Sequence, residues 1–307
     1  MSAIVPNMNL PFGQNPTPLH RLTLPANSTI KAWLKRDDLN HPLIQGNKWH
    51  KLKLNLMAAQ NQQKHQLLTF GGAYSNHIAA TAAAAFERGW SSIGIIRGDE
   101  LAGRQQAWSP TLKQAQRHGM TFEFVDRQTY RLRHQPTWLN ALLQRYPKAY
   151  FLPEGGSNPL AINGFESVIN ELNQQCPGWT HLLCAVGTGG TLAGLAKFAQ
   201  PHQQIWGIAS LKNAGYLREQ ISEWAGLDKT NWRLFTEFHG GGYGKTSNDV
   251  LNISQQFEQN NGVKLDPVYT AKLVFAFNRL IQAGAFAANS RVVLYHSGGL
   301  QGRPETV

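Results

Sequence analysis

Cysteine is nearly absent: 307 residues hold two, Cys176 and Cys184, each beside apolar residues. Their spacing matches neither a disulfide framework nor a metal-thiolate site, and a reducing cytoplasm is the expected setting. Long hydrophobic runs are missing too. The most apolar stretch, from Ile78 to Phe86, is far too short to span a bilayer. The opening Met-Ser-Ala-Ile-Val-Pro-Asn has no basic or long apolar region of the kind a signal peptide carries. No membrane partner is expected. Acidic residues are scarce, 18 against 29 Lys and Arg, giving a formal charge of +11. A basic balance suits nucleic acid or small anions. The basic residues are dispersed, however, and the densest group, Arg127, Arg133 and His134 around Tyr130, is short. No nucleic-acid partner is therefore expected. Low-complexity linkers and internal repeats are also lacking. What remains, 42% hydrophobic and 15% charged, is a globular chain with material for one large α/β domain or two smaller ones.

Short β-branched runs alternate with helical patterns. Strands are expected over 67–70, 92–97, 122–125, 150–152, 181–186, 205–209 and 291–295. Helices are expected over 48–60, 75–88, 111–118, 159–174, 191–198, 214–225, 248–261 and 267–283. Strand-then-helix alternation implies parallel sheets covered on both faces. Three strand-to-helix junctions stand out: Thr69 to His77, Cys184 to Thr191, and Tyr295 to Gly299. In open α/β sheets, ligands bind at the carboxyl ends of strands.

Within Gly46-Asn47-Lys48 a glycine-bearing loop ends at Asn47, a competent N-cap, and an apolar run follows. Lys48 then falls on the first turn of a helix. The positive helix end lowers the pKa of a nearby amine, and a readily deprotonated amine can form a Schiff base. Most lysines in any chain are merely solvated. Gly187-Thr188-Gly189-Gly190-Thr191 leaves a strand and enters a helix, so its N–H groups and hydroxyls can cup one phosphate; otherwise it is a tight turn. Leu192 stands where a dinucleotide fingerprint needs a third glycine. The run His239 to Thr246 misses a nucleotide P-loop, because His239 replaces the opening glycine and no strong apolar strand precedes it. Tyr243 in that run can present a phenol to a ligand. Ser75-Asn76-His77 reads as a helix cap or as a receiver of a carboxylate. Asp266-Pro267-Val268-Tyr269-Thr270 reads as a capped helix start with Tyr269 on the first turn. Ser297 in Ser-Gly-Gly is a turn, or a hydroxyl for a ring nitrogen.

Taken in order, Gly-Asn-Lys, Gly-Gly-x-x-Ser-Asn-His, Gly-Thr-Gly-Gly-Thr, Gly-Tyr-Gly, Asp-Pro-Val-Tyr-Thr and His-Ser-Gly-Gly resemble the pyridoxal-phosphate enzymes of the 1-aminocyclopropane-1-carboxylate deaminase/D-cysteine desulfhydrase family. Lys35-Arg36-Asp37-Asp38-Leu39 is similar to that family's early strand. The resemblance runs from about residue 16 to residue 300. It implies an α/β architecture of two open, mainly parallel twisted sheets flanked by helices, of fold type II like the tryptophan synthase β-subunit. Residues 1–52 with 153–307 would form a large cofactor-binding domain, and 53–152 a smaller one. Pyridoxal 5'-phosphate is the implied cofactor. Lys48 would be its Schiff-base lysine, Gly187, Thr188, Gly189, Gly190 and Thr191 its phosphate cup, and Ser297 its ring-nitrogen partner. Asn76 would meet its phenolic oxygen or the substrate carboxylate. Ser75, His77 and Tyr74 would lie by the substrate, and Tyr243 and Tyr269 would be the two active-site tyrosines. A small amino acid is the implied substrate and a homodimer the expected assembly.

Four positions depart from the family's pattern: Gln45 where a glycine is usual, His50 where a basic residue is usual, Tyr74 for a glutamine, and Thr270 where cyclopropane-opening deaminases carry glutamate. Thr270 matches the desulfhydrases. The expected activity is therefore D-cysteine-like β-elimination, giving a 2-oxo acid, ammonia and sulfide. Ring-opening deamination, or a non-catalytic cofactor- or amino-acid-binding protein of the same fold, are the alternatives.

Overall fold

A computed structural model describes residues 16–300. In chain order the first half comprises β1 (Leu19–Arg21), β2 (Lys31–Lys35), α1 (Asn47–Asn61), β3 (Gln66–Gly72), α2 (Asn76–Glu87), β4 (Ser91–Arg97), α3 (Pro110–Arg117), β5 (Met120–Val125), α4 (Arg127–Arg131), α5 (Pro136–Arg145) and β6 (Ala149–Leu152). There follow α6 (Pro159–Asn163), α7 (Glu166–Gln175), β7 (His181–Val186), α8 (Gly190–Phe198), β8 (Gln204–Ala209), α9 (Leu217–Ala225), β9 (Trp232–Phe235), α10 (Asn248–Asn261), α11 (Thr270–Gln282) and β10 (Arg291–Tyr295).

The strands form two sheets, ordered β1-β2-β10-β7-β8-β9 and β5-β4-β3-β6. Every pairing is parallel except β1 with β2. Burial on both faces explains the uninterrupted apolar runs of β3, β4 and β7. The period-2 rule divides β7 cleanly: Leu182, Cys184 and Val186 join the core beneath α7, α8 and α9, while Leu183 and Ala185 join the opposite core beneath α10 and α11. In the smaller sheet Leu67 packs toward α1 and α2, and Leu68 and Phe70 pack toward α4 and α5. The last strand, β10, lies in the middle of its sheet, between β2 and β7.

The seven expected strands are present. Three strands escape the pattern reading: β2, and the edge strands β1 and β9, whose three or four residues carry too little alternation. Helices α4 and α5 were not expected either; Asp126 caps the first, and Pro136 opens the second. The helix expected over 159–174 is two, α6 and α7, broken at Gly164. A Cβ there would lie 1.9 Å from the carbonyl oxygen of His50, so α1 presses directly on that backbone. The helix expected from residue 214 is a single 3-10 turn followed by α9. Residues 37–39, taken as part of an early strand, form a 3-10 turn after β2 ends at Lys35. Residues 239–246 follow only the short, half-buried edge strand β9, and no helix begins until Asn248. A phosphate loop needs that helix immediately.

Candidate active site

Helix α1 begins at Asn47, and its N-cap is Gly46, not Asn47 as expected. Gly46 holds φ +65°, and a Cβ on it would sit 1.9 Å from the Ser297 carbonyl oxygen, so only glycine lets the two chain segments meet. Asn47, freed from capping, donates from Nδ2 to Thr191 Oγ1 (2.8 Å) and accepts from Lys48 Nζ (2.9 Å). Lys48 is thereby tied toward the phosphate-cup junction. Burial lowers its pKa to about 8, with the Asp266 carboxylate pulling the other way.

The Gly187–Thr191 turn joins β7 to α8, with Gly189 as N-cap. One turn along α1 from Lys48, Lys51 reaches it: Nζ donates to the Gly155 carbonyl and Ser157 Oγ at 2.9 Å each and lies 3.5 Å from Thr188 Oγ1. Ser157 and Thr188 share a further hydrogen bond of 2.8 Å. Burial and the nearby Lys48 charge push the Lys51 pKa well down. Two amines, two hydroxyls and the N–H groups of a helix start converge here. The sequence reading placed the turn but not Lys51 or Ser157. The signal for Lys51 was its spacing three residues after Lys48, which puts both on one helix face.

Opposite stands the α2 start. Ser75 is its N-cap, with Oγ 3.4 Å from the Ile78 N–H, so the hydroxyl proton stays available. Asn76 is buried, and its Oδ1 has no partner. Asn76 Nδ2 closes on the turn after β10, 2.7 Å from where a Cβ on Gly299 would be. His77 is turned inward rather than toward an open mouth. Thr69 Oγ1 gives its proton to the Leu152 carbonyl (2.9 Å) and so accepts from His77 Nε2 (2.9 Å). Burial, and the charges of Lys48 and Lys51, hold this imidazole neutral by lowering its pKa well below the usual value. Tyr74 has its side chain 61% exposed; its carbonyl is 3.4 Å from the Tyr243 hydroxyl.

Tyr243 and Tyr269 meet edge to face, ring centroids 6.4 Å apart. Tyr269 is the N-cap of α11 rather than a first-turn residue, because the helix begins at Thr270. Asp266 Oδ1 takes the Tyr269 N–H at 2.6 Å. Burial raises both phenol pKa values, Tyr269 well above its usual one, so both remain protonated. Burial likewise raises Asp266 to about 7, against the pull of backbone N–H groups and Lys48. Thr270 spends its hydroxyl on the backbone of Asp266, accepting from N (2.6 Å) and lying 3.1 Å from O.

Ser297 follows β10 in a turn pinned by His296. His296 Nε2 is 2.9 Å from the Lys264 carbonyl and must donate, leaving Nδ1 to accept from Gly298 N (3.2 Å). Burial lowers the His296 pKa, consistent with this neutral form. The expected basic group near Arg133 is partly neutralised, since Arg133 pairs with Glu154 at 2.7 Å.

The parts fit a phosphate-bearing aldehyde. A cup of N–H and hydroxyl donors would hold the phosphate, an amine of lowered pKa stands beside it, and a buried Asn76 Oδ1 lacks a partner. Fold and site together fit the class of enzymes that work with such a bound aldehyde. The family model described as pyridoxal-phosphate dependent enzyme matches residues 10–298, and the chain belongs to that family. A bifunctional D-cysteine desulfhydrase/1-aminocyclopropane-1-carboxylate deaminase of Arabidopsis thaliana is 26% identical, over 97% of this chain and 80% of the relative. A D-cysteine desulfhydrase of Klebsiella pneumoniae is 26% identical over 92% of each chain. A crystal structure of an ACC deaminase homologue superposes with TM-score 0.77 and 26% identity, covering 93% of this chain and 90% of that one. The resemblance in motif order is thus borne out, as is the two-sheet architecture.

Proposed function

We propose that this enzyme is a pyridoxal-phosphate dependent lyase of a small amino acid, preferring D-cysteine-like β-elimination to a 2-oxo acid, ammonia and sulfide. Bound cofactor supplies the electron sink that stabilises charge at the substrate α-carbon. Lys51, Thr188 and the Gly187–Thr191 N–H groups would hold the phosphate, and Ser297 the ring nitrogen. A serine hydroxyl, unlike an aspartate, does not enforce a protonated ring, and the weaker sink suits elimination. Lys48 would hold the cofactor in the resting enzyme and carry the α-proton, its pKa of about 8 lying close to neutrality. Ser75 and Asn76 take the substrate carboxylate. Tyr243 and Tyr269, both protonated, give a proton or hydrogen bond to the departing thiolate.

The observation that carries this reading is that Lys48, tied through Asn47 to Thr191, and Tyr269, which lies 3.2 Å from where a Cβ on Gly187 would be, both meet the same cup. The engaged hydroxyl of Thr270 favours elimination over ring opening, because it leaves no acid at that position. Ring-opening deamination remains the second reading, since the Arabidopsis relative bears both names. A homodimer, a cytoplasmic setting and the division into 1–52 with 153–307 and 53–152 belong to the same proposal; among the described residues, no helix is long and apolar enough to cross a membrane.

The test is a panel of D- and L-amino acids with 1-aminocyclopropane-1-carboxylate. D-Cysteine is expected to give pyruvate and sulfide, and the cyclopropane no 2-oxo acid. Activity on the cyclopropane alone would reverse the order of the two readings. A protein that binds no cofactor would end both.

A further inference from the structure

Lys272 is fully buried, yet none of the roles above uses it. It is the third residue of α11, in the first turn. A cation there opposes the helix dipole and loses its hydration, both unfavourable. The compensation is local and directed. Nζ donates to the Gly242 carbonyl at 2.8 Å and to the Ser210 carbonyl at 3.2 Å. Gly242 precedes Tyr243, Ser210 follows β8, and Tyr269 caps the helix that carries Lys272. The glycine loop lies down on the lysine stem: Gly240 approaches so closely that a Cβ on it would be 3.5 Å from Lys272 Cε. Gly240, Gly241 and Gly242 all hold positive φ. A backbone that glycine leaves so free needs an outside anchor to present one side chain reproducibly. Burial lowers the Lys272 pKa to about 8 while Asp266 pulls upward, so below about pH 8 the tether is a cation.

We propose that Lys272 is a positioning residue: by binding the Gly242 and Ser210 carbonyls it holds the 239–245 loop so that Tyr243 stands against Tyr269 over the substrate. The inference rests on the proposed role of the tyrosines only for its kinetic consequence. The tether itself can be tested apart from it.

Hydrogen exchange of the cofactor-loaded wild type, K272M and K272Q tests it, together with D-cysteine kinetics. Methionine keeps the stem without the donors, and glutamine keeps donors without the charge. K272M is expected to exchange faster over residues 239–247 and nowhere else, with the cofactor's visible absorption unchanged. Its kcat/KM should fall about tenfold or more, chiefly in kcat, and Y243F should add little in that background. K272Q should lie between. Wild-type exchange over 239–247 in K272M overturns the proposal. So does general loosening, or loss of fold in both variants, because the lysine then serves the whole molecule rather than the loop. If K272M alone fails to fold, the exchange of K272Q decides. Should Y243F have wild-type kinetics, the tyrosine role fails, while the exchange result still judges the tether.

Discussion

In the proposed role, Lys48 must be neutral to bond to the cofactor. With its pKa at about 8 rather than 10.5, the rate of cofactor loading onto cofactor-free protein should rise with pH up to about 8 and level off there. Stopped-flow absorbance would check this; a rise continuing toward pH 10 would mean an ordinary, solvated amine. In the same proposal Lys51 acts by its donors instead. Lys51→Met should leave the attachment at Lys48 intact but weaken cofactor binding about 10- to 100-fold, the worth of a hydrogen bond to a charged group. Equilibrium dialysis measures it. The grouping of Lys48, the cup, Ser75, Asn76 and both tyrosines into one candidate site was legible because each belongs to a short ordered motif. Lys51, Ser157, Asp266 as more than a cap, His296 and Lys272 were not. Their roles come from contacts across as many as 137 residues, as between Lys51 and Thr188. His77 was read from its motif as a substrate residue; the structure shows its ring buried and held by Thr69.

Helix α1 is held by a buried ionic group that no single motif reveals. His50 Nε2 meets Asp37 Oδ2 at 2.8 Å, Thr17 donates to the same carboxyl, and Lys35 Nζ binds Glu171 at 2.6 Å and Gln175 at 2.9 Å. Burial alone would raise the Asp37 pKa; the hydrogen bond and charge of His50, then Lys35 and Thr17, bring it down to about 2. A carboxyl held below its unfolded value of 3.8 contributes stability that is complete above that value and lost as pH falls from there toward about 2. His50→Leu leaves Asp37 without its main partner and should cost about 3 kcal/mol by denaturant melts, as for other broken buried pairs. It should also flatten the acid limb of the stability curve. A basic residue at 50 was expected from the family pattern. The structure explains how histidine serves there, since Asp37 lies within reach of an imidazole. Element boundaries were least legible where backbone packs on backbone, as at Gly164 against His50, because close approach leaves no mark on hydrophobic period.

Across the molecule, the order of strands matters more than their number. Alternation in the sequence gave parallel sheets flanked by helices, but not which strand is central. The centre of the larger sheet is β10, flanked by β2 and β7, and the site closes only where Gly46 of the opening loop meets Ser297 just past β10. A ribosome must therefore have released β10 and Ser297 before the candidate site can close. Until then β2 and β7 each lack their common neighbour and leave unpaired strand edges open to other chains. Strand β10 is a keystone: the arch, and the coenzyme proposed to lie beneath it, wait on its arrival.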